Sequence, residues 1–390
     1  MLIAVTRDPA RHLLVTMALV LSAGLPAVAD EQSKPADPAV AEYQRKLAAY
    51  TVVREPYEAA AKVYWDTVTK KRRIRIGKHR NNAKVTADDY VLTQPPVYSG
   101  PPKPVDPTAP PEEPEPEKVI PVVADFLKAA KAHFNFVPQR PRREIDFKRA
   151  YARSASAAGL TKNQIVRIFG FEASGNGAYD VQAGLEYRKG AKAISTALGY
   201  NQLLTTNTIS ILAVHGGRIV KALRRKAARA RGAAKVRLKR KIAAVQRMIA
   251  FSRTVPVRWS AHETLAKTPE GLGPHALNLD IDVGPLLQTQ KLVDSIVFAK
   301  RKGFARPLTA AELELMNLTG DGNGYDMVTM PPELRKQVPT ANFFRQGGYE
   351  RNTIASRHNT VAKLLGAIDA KMDRETKRQG ARDLAASFPR

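Results

Sequence analysis

Between residues 160 and 206 the apolar positions keep helical time. Ile165, Ile168 and Phe169 recur at three- and one-residue steps on one helix face, and Glu172 takes the next position of that face. Thr161 and Gln164 stand three apart ahead of this run, which predicts a capping box at its start. Gly175 and Gly177 predict its end. The same periodicity predicts helices over 122–136, 143–158 and 161–172, a fourth opening at 208–213, and another near 283–302. Residues 308–326, LTAAELELMNLTGDGNGYD, read as a loop-and-helix unit in which Thr309 and Glu312 form a second capping box and Asp321-Gly-Asn-Gly a tight turn. Upstream, 37–69 is alanine-rich and helical, with Tyr57, Ala60, Ala61, Tyr64 and Val68 as its apolar face and Pro56 restarting the helix at a permitted early position. Residues 256–274 are loop-rich, and 351–390 read as a charged, mostly helical extension frayed at its end. Strand-like alternation is scarce, so the expected fold is all-α.

Composition divides this helical chain. Eleven prolines fall within 95–121, together with Glu112, Glu113, Glu115 and Glu117, a mixture that propagates neither helix nor ladder. It is the clearest boundary. The expected organisation is a signal peptide over 1–29, a helical basic region over 30–94, a Pro-rich linker over 95–121, a main domain over 122–350 and the extension over 351–390.

Charge is the second departure from an ordinary chain. Lys and Arg number 63 against 36 Asp and Glu, a net charge of +27. The run KKRRIRIGKHR over 70–80 reads as a solvated cationic segment. Residues 218–247 carry thirteen Lys or Arg and no acid, yet Ile219, Leu223, Ala227, Ala230, Ala234, Leu238, Ile242 and Val245 keep a helical repeat. One long helix with a packing side and a cationic wall is expected there, and Arg224, Arg225 and Arg229 on that wall are candidates for contact with an anionic envelope surface.

The N-terminus narrows the anion. Arg7 and Arg11 precede the apolar run LLVTMALVLSAGL, and Ala27-Val28-Ala29 precede Asp30 as a small-x-small cleavage site. Export to a bacterial periplasm is expected, with no transmembrane segment in the mature chain and no nucleic acid as partner. Peptidoglycan carboxylates and lipopolysaccharide phosphates become the expected anions.

Several chemistries are excluded by residue type. The chain has no cysteine, hence no disulfide, thiolate metal site or cysteine nucleophile. His79, His133, His215, His262, His275 and His358 show no metal-ligand spacing, and His262-Glu263 lacks a second histidine four positions after the first. No metal and no cofactor are expected. What remains is Glu172 at the end of an apolar stripe beside Phe171, where desolvation turns a carboxyl into a usable general acid.

Phe171-Glu172-Ala173-Ser174-Gly175-Asn176, followed by Ala193-Ile194-Ser195-Thr196-Ala197-Leu198-Gly199-Tyr200-Asn201-Gln202-Leu203-Leu204, resembles the soluble lytic transglycosylases of the lysozyme-like superfamily. Met316-Asn317 with Gly320 is similar to their later Tyr-Asn-Ala-Gly motif. The likeness runs from about Leu160 to Tyr325, less than half the chain. Departures are Ala173 directly after the glutamate, a longer gap before Gln202, Tyr200-Asn201 in place of Leu-Met, and Met316 in place of a tyrosine.

The resemblance implies a lysozyme-like helical domain that cleaves the bond between N-acetylmuramic acid and N-acetylglucosamine. It implies Glu172 as the single acid and base, and a 1,6-anhydro product. Ser174, Asn176, Tyr200, Gln202, Asn317 and Tyr325 would bind glycan, and Asp180 is the available second acid for a hydrolytic variant. The alternative is a lysozyme-like protein that binds peptidoglycan strands without cleaving them, or an envelope scaffold.

Overall fold

A computed structural model of the chain describes residues 37–81, 83–110, 119–185 and 190–389. The expected signal peptide over 1–29 lies outside the described residues, as does part of the Pro-rich stretch. The described fold is all-α: no strand occurs among the described residues, only isolated bridges such as Gln182 with Leu198 and Leu198 with Leu203. The helices are α1 (Pro38–Arg80), α2 (Val123–Phe134), α3 (Glu144–Ala157), α4 (Lys162–Glu172), α5 (Thr205–Arg229), α6 (Gly232–Ser252), α7 (Trp259–Ala266) and α8 (Gly284–Arg301). They continue with α9 (Ala310–Thr319), α10 (Asp321–Thr329), α11 (Pro332–Gln337), α12 (Gln346–Arg351), α13 (Thr353–Arg357), α14 (Val361–Glu375) and α15 (Gln379–Ala386).

Two compact units divide the chain, one of Met1–Val52 with Pro101–Pro111 and the other of Val53–Gly100 with Glu112–Arg390. The described part of the first is helix and extended Pro-rich chain. The second unit carries every element discussed below. It takes in residues 53–100, which composition assigns to a separate N-terminal region. The reason is Arg75, 1% exposed in the middle of the basic run, whose Nε donates to Asp326 at 2.9 Å and whose other nitrogens donate to the carbonyls of Asp89 and Asn342. The run over 70–80 is thus the last turns of α1, docked through Arg75, and not a wholly solvated segment. Pro56 lies inside α1 at an exposed position without ending it.

Residues 218–247 also differ from expectation. They form two helices, α5 and α6, that fold back on each other around Arg231, whose backbone is extended, and Gly232 at φ +51°. Folding in half lets Ile219, Leu223 and Ala227 share one apolar seam with Leu238, Ile242 and Val245. Gly216 makes this close: a Cβ there would meet Ile249 Cγ1 at 2.4 Å. Two short cationic helices bury more apolar area against each other than a single rod could, which offsets part of their self-repulsion.

Residues 351–390 are core, not a frayed extension. Val361, Leu364, Ile368 and Met372 of α14 are fully buried, as are Ala381 and Leu384 of α15. These helices pack on α4, where Gly175 (φ +65°) leaves room that a Cβ would lose to the Glu375 carbonyl 2.2 Å away. The region over 256–274 contains α7, and Asp321-Gly-Asn-Gly is the first turn of α10 instead of a free turn. Gly324 there presses on Met316, whose Cα a Cβ would approach to 2.3 Å.

Two hydrophobic clusters result. One joins α3, α4, α9, α10 and α14, and the other joins α2, α5, α6 and the 3-10 segment Gly273–Leu279. Helix α8 contributes Leu287 to the second and Leu292 and Ala299 to the first.

Candidate functional site

Both helices that carry the site begin with the expected capping box. Thr161 Oγ1 accepts from Gln164 N at 3.1 Å while Gln164 Oε1 accepts from Thr161 N at 2.9 Å. Thr309 and Glu312 repeat the arrangement at the start of α9. Gln164 also donates to the Leu308 carbonyl at 2.8 Å, so the start of α4 is tied to the residue before the α9 cap. With Ile165, Ile168 and Phe169 fully buried, the last residue of α4 has a fixed direction. That residue is Glu172.

Glu172 lines a cavity of about 930 Å³. Its walls are the 197–204 loop, the first half of α5, Trp259, α8 and the end of α9. Asn317 Nδ2 donates to Glu172 Oε1 at 2.7 Å, and the same amide lies 3.4 Å from Glu314 Oε1. Glu314, one turn earlier on α9, is 0% exposed, and its Oε2 has no hydrogen-bond partner. The carboxyls of Glu172 and Glu314 lie within hydrogen-bonding reach of each other.

Burial raises Glu172 above the usual carboxylate range, and Glu314, Lys371, Asn317 and Lys291 together pull it only part of the way back. Glu314 is pushed well above its ordinary value, by burial first and then by the charge of Glu172. Tyr151, hydrogen-bonded to Asn201 Oδ1 at 2.9 Å, is also raised, by burial and by these two carboxyls. Burial and the nearness of a second carboxyl both favour the protonated form in this pair.

The rest of the cavity wall mixes apolar side chains, among them Ile211, Val214, Val297 and Phe298, with paired polar ones. His215 Nε2 donates to Asp294 Oδ1 at 2.9 Å, and Gln290 donates to the same oxygen at 2.8 Å. Ser295 Oγ donates to Asp321 Oδ1 at 2.6 Å, with Lys291 Nζ 3.4 Å from that atom. Trp259 stands 51% exposed at the wall. Among the described residues no group of three or more His, Cys, Asp or Glu could hold a metal ion, and none of the helices is long and apolar enough to cross a membrane.

Of the residues singled out from sequence, the fold gathers Glu172, Gln202 and Asn317 around this cavity. Gln202 is held at φ +44° with its Nε2 turned inward to the carbonyls of Gly199 (2.8 Å) and Val181 (3.2 Å). Gly199, at φ +82°, gives the loop its bend and leaves room for Gln288, whose Nε2 a Cβ would approach to 2.6 Å. Gln288 in turn binds the Asn201 backbone at 2.8 Å, so the loop is nailed to α8.

Four expected binding residues are elsewhere. Tyr200, which the resemblance implies as a glycan-binding residue, is fully buried among Phe147, Tyr151 and Phe169, its hydroxyl donating to Glu144, and is a core residue. Ser174 (φ +50°) belongs to the turn that ends α4, and Asn176 accepts from Gly380 N at 2.9 Å to hold α15. Tyr325 donates to the Lys302 carbonyl at 2.7 Å, in a neighbouring pocket. Asp180 faces Arg140, 3.9 Å away, and does not line the cavity. The residue that pattern reading passed over is Glu314. Its signal was present: a carboxylate inside the apolar run 313–316, one helical turn before Asn317.

The chain matches no family model, no curated protein and no solved structure.

Proposed function

We propose that this protein is an exported lytic transglycosylase of peptidoglycan, built on a lysozyme-like fold, with Glu172 as its one general acid and base. The observation that carries this reading is the Glu172 carboxyl, held by Asn317 at 2.7 Å and facing a cavity of about 930 Å³ whose walls combine apolar side chains, amides, carboxylates and an exposed tryptophan. Sugars are bound by such surfaces, through amides, carboxylates and aromatic faces. The short bridges around Leu198 and the fixed Gln202 loop fit a lysozyme-like helical domain.

The chemistry follows from protonation. Glu172 gives its proton to the oxygen linking the two sugars as the C1–O bond breaks with its electron pair going to that oxygen. The resulting carboxylate takes the proton of the muramoyl 6-hydroxyl, whose oxygen closes on C1 to form the anhydro sugar. No water needs activation. Glu314 cannot act as a second carboxylate across the bond, because hydrolases of this kind separate their two carboxyls by about 5 Å or more to admit the sugar. The +27 charge and the exposed Arg224, Arg225 and Arg229 on the α5–α6 hairpin would hold the enzyme to anionic envelope polymers.

The test is incubation of the mature protein with peptidoglycan sacculi. Release of 1,6-anhydromuropeptides is expected, with Glu172→Gln reducing it roughly 10²- to 10⁴-fold, the usual range for a positioned acid. Reducing-end products would make it a hydrolase and end the single-acid reading. A second reading, glycan binding without cleavage, is favoured by one observation: the donors of Gln202 are spent on backbone carbonyls instead of pointing into the cavity. Binding that releases no fragment would select it.

A further inference from the structure

Glu314 has no place in the mechanism above, yet it is the most buried carboxyl near the cavity. Its Oε2 is enclosed without a partner, and its Oε1 has only the Asn317 amide at 3.4 Å. An ionised carboxylate in that position would leave lone pairs unmet and a charge unpaired, which burial strongly disfavours. A protonated one meets its need, because its O–H can donate to the neighbouring carboxyl of Glu172.

We infer that Glu314 is a permanently protonated positioning residue, whose O–H donates to Glu172 and holds it in place once Glu172 has given up its proton. The inference rests on the proposed role of Glu172. It names what stabilises the anion between the two proton transfers: Asn317 Nδ2 on Oε1 and the Glu314 O–H beside it, at the wall of the cavity. No bond to Glu314 forms or breaks, and its proton stays on its own oxygen throughout.

Every packed element contributes to this balance. Lys291 of α8 and Lys371 of α14 are the cations facing the pair, Lys371 also lying 4.2 Å from the Phe171 ring centroid. Tyr151 of α3 is the neutral phenol on the third side, and Asn317 is the amide from α9. Neither lysine has a hydrogen bond to either carboxyl, so neither replaces the missing donor for Glu314 Oε2.

The experiment is a pH titration of the mature protein labelled with carbon-13 at the glutamate carboxyls. Wild type, Glu314→Gln and Glu314→Met are compared, with Glu172→Gln identifying the Glu172 signal. A glutamine presents the same donor and acceptor as a protonated glutamate and carries no charge. Glu314→Gln should therefore move the Glu172 midpoint by less than about 0.5 pH unit. Glu314→Met removes the donor at similar volume and should move that midpoint up by about one pH unit or more. If Glu314 were ionised, both variants would move it down by about a unit or more, because each removes a negative neighbour, and the inference would fall. An unchanged midpoint in Glu314→Met would overturn it equally. Thermal melts identify a variant that does not fold, and the other variant then decides. The titration needs no turnover, so a protein that cleaves no glycan defeats the proposed function and leaves this result standing. Where cleavage is present, the pH profile of kcat should follow the same order of midpoints.

Discussion

Lys241 reaches into the protein between Asp280 and Asp282, whereas Glu314 faces Glu172 with no cation in contact. Both centres are acidic and dry, and they are built in opposite ways. Lys241 Nζ donates to Asp280 at 2.8 Å and to Asp282, and Lys226 closes on Asp282 from α5. Asp280 further accepts from Gln139 N at 2.8 Å and Asp282 N at 2.9 Å. Burial works to raise Asp282, but Lys241 and Lys226 outweigh it and hold its carboxyl low. The centre joins α6 to the start of α8 and pins the chain at 139. The glutamate pair joins α4 to α9, and no donor from elsewhere in the described protein reaches Glu314 Oε2. A folding requirement explains the first and not the second; polar groups left incomplete at a cavity wall are where chemistry is found.

The comparison can be broken most directly at Lys241. Lys241→Met strands two buried carboxylates and should destabilise the fold by about 3–5 kcal/mol, read from denaturant unfolding. Glu172→Gln removes a titrating carboxyl from a pair that no cation contacts, and should cost no stability in the same assay while cutting glycan release roughly 10²- to 10⁴-fold. Equal losses from the two variants would mean the glutamate pair is structural after all.

A third buried titratable group sharpens the contrast, because it is satisfied only when uncharged. His275 Nε2–H donates to the Thr196 carbonyl at 2.9 Å and Nδ1 accepts from Thr208 Oγ1 at 2.9 Å. Burial lowers its pKa to about 4 from the ordinary 6.5. The unfolded chain therefore takes up this proton first as pH falls. The stability tied to neutral His275 is whole above about pH 6.5 and declines toward pH 4, by roughly 3 kcal/mol in all. Unfolding free energies across that window, for wild type and His275→Asn, measure it; a variant with the same slope would remove His275 as the cause.

The smallest expected effect concerns placement. Thr161→Ala removes one half of the α4 capping box and should cost about 1 kcal/mol. The remaining test is positional: with Ile165, Ile168 and Phe169 still buried, the Glu172 midpoint should not move. A moved midpoint would show that the cap, and not the apolar stripe, aims the carboxyl.

Much of this was legible along the chain, for stated reasons. The capping boxes at Thr161 and Thr309 depend on residues three apart, and the stripe from Ile165 to Glu172 depends on residues within one and a half turns. Such local features survive folding unchanged. Glu172, Gln202 and Asn317 do meet at one cavity. Tyr200 misled because large aromatic residues serve cores and sugar sites alike, and the choice depends on Phe147, Tyr151 and Phe169, whose packing no local pattern reveals.

By itself the sequence determined an all-α chain, its capped helix starts and a carboxylate at the end of an apolar face. These are consequences of periodicity, dihedral preference and hydrogen bonds between near neighbours. Tertiary structure alone decided that the cationic stretch over 218–247 folds in two, that Arg75 is buried against Asp326, and that α14 and α15 close the core. It alone brought Glu314 to Glu172 across 142 positions of chain. Charge and burial depend on what surrounds a group in space, and for these residues the surroundings come from segments far away in sequence.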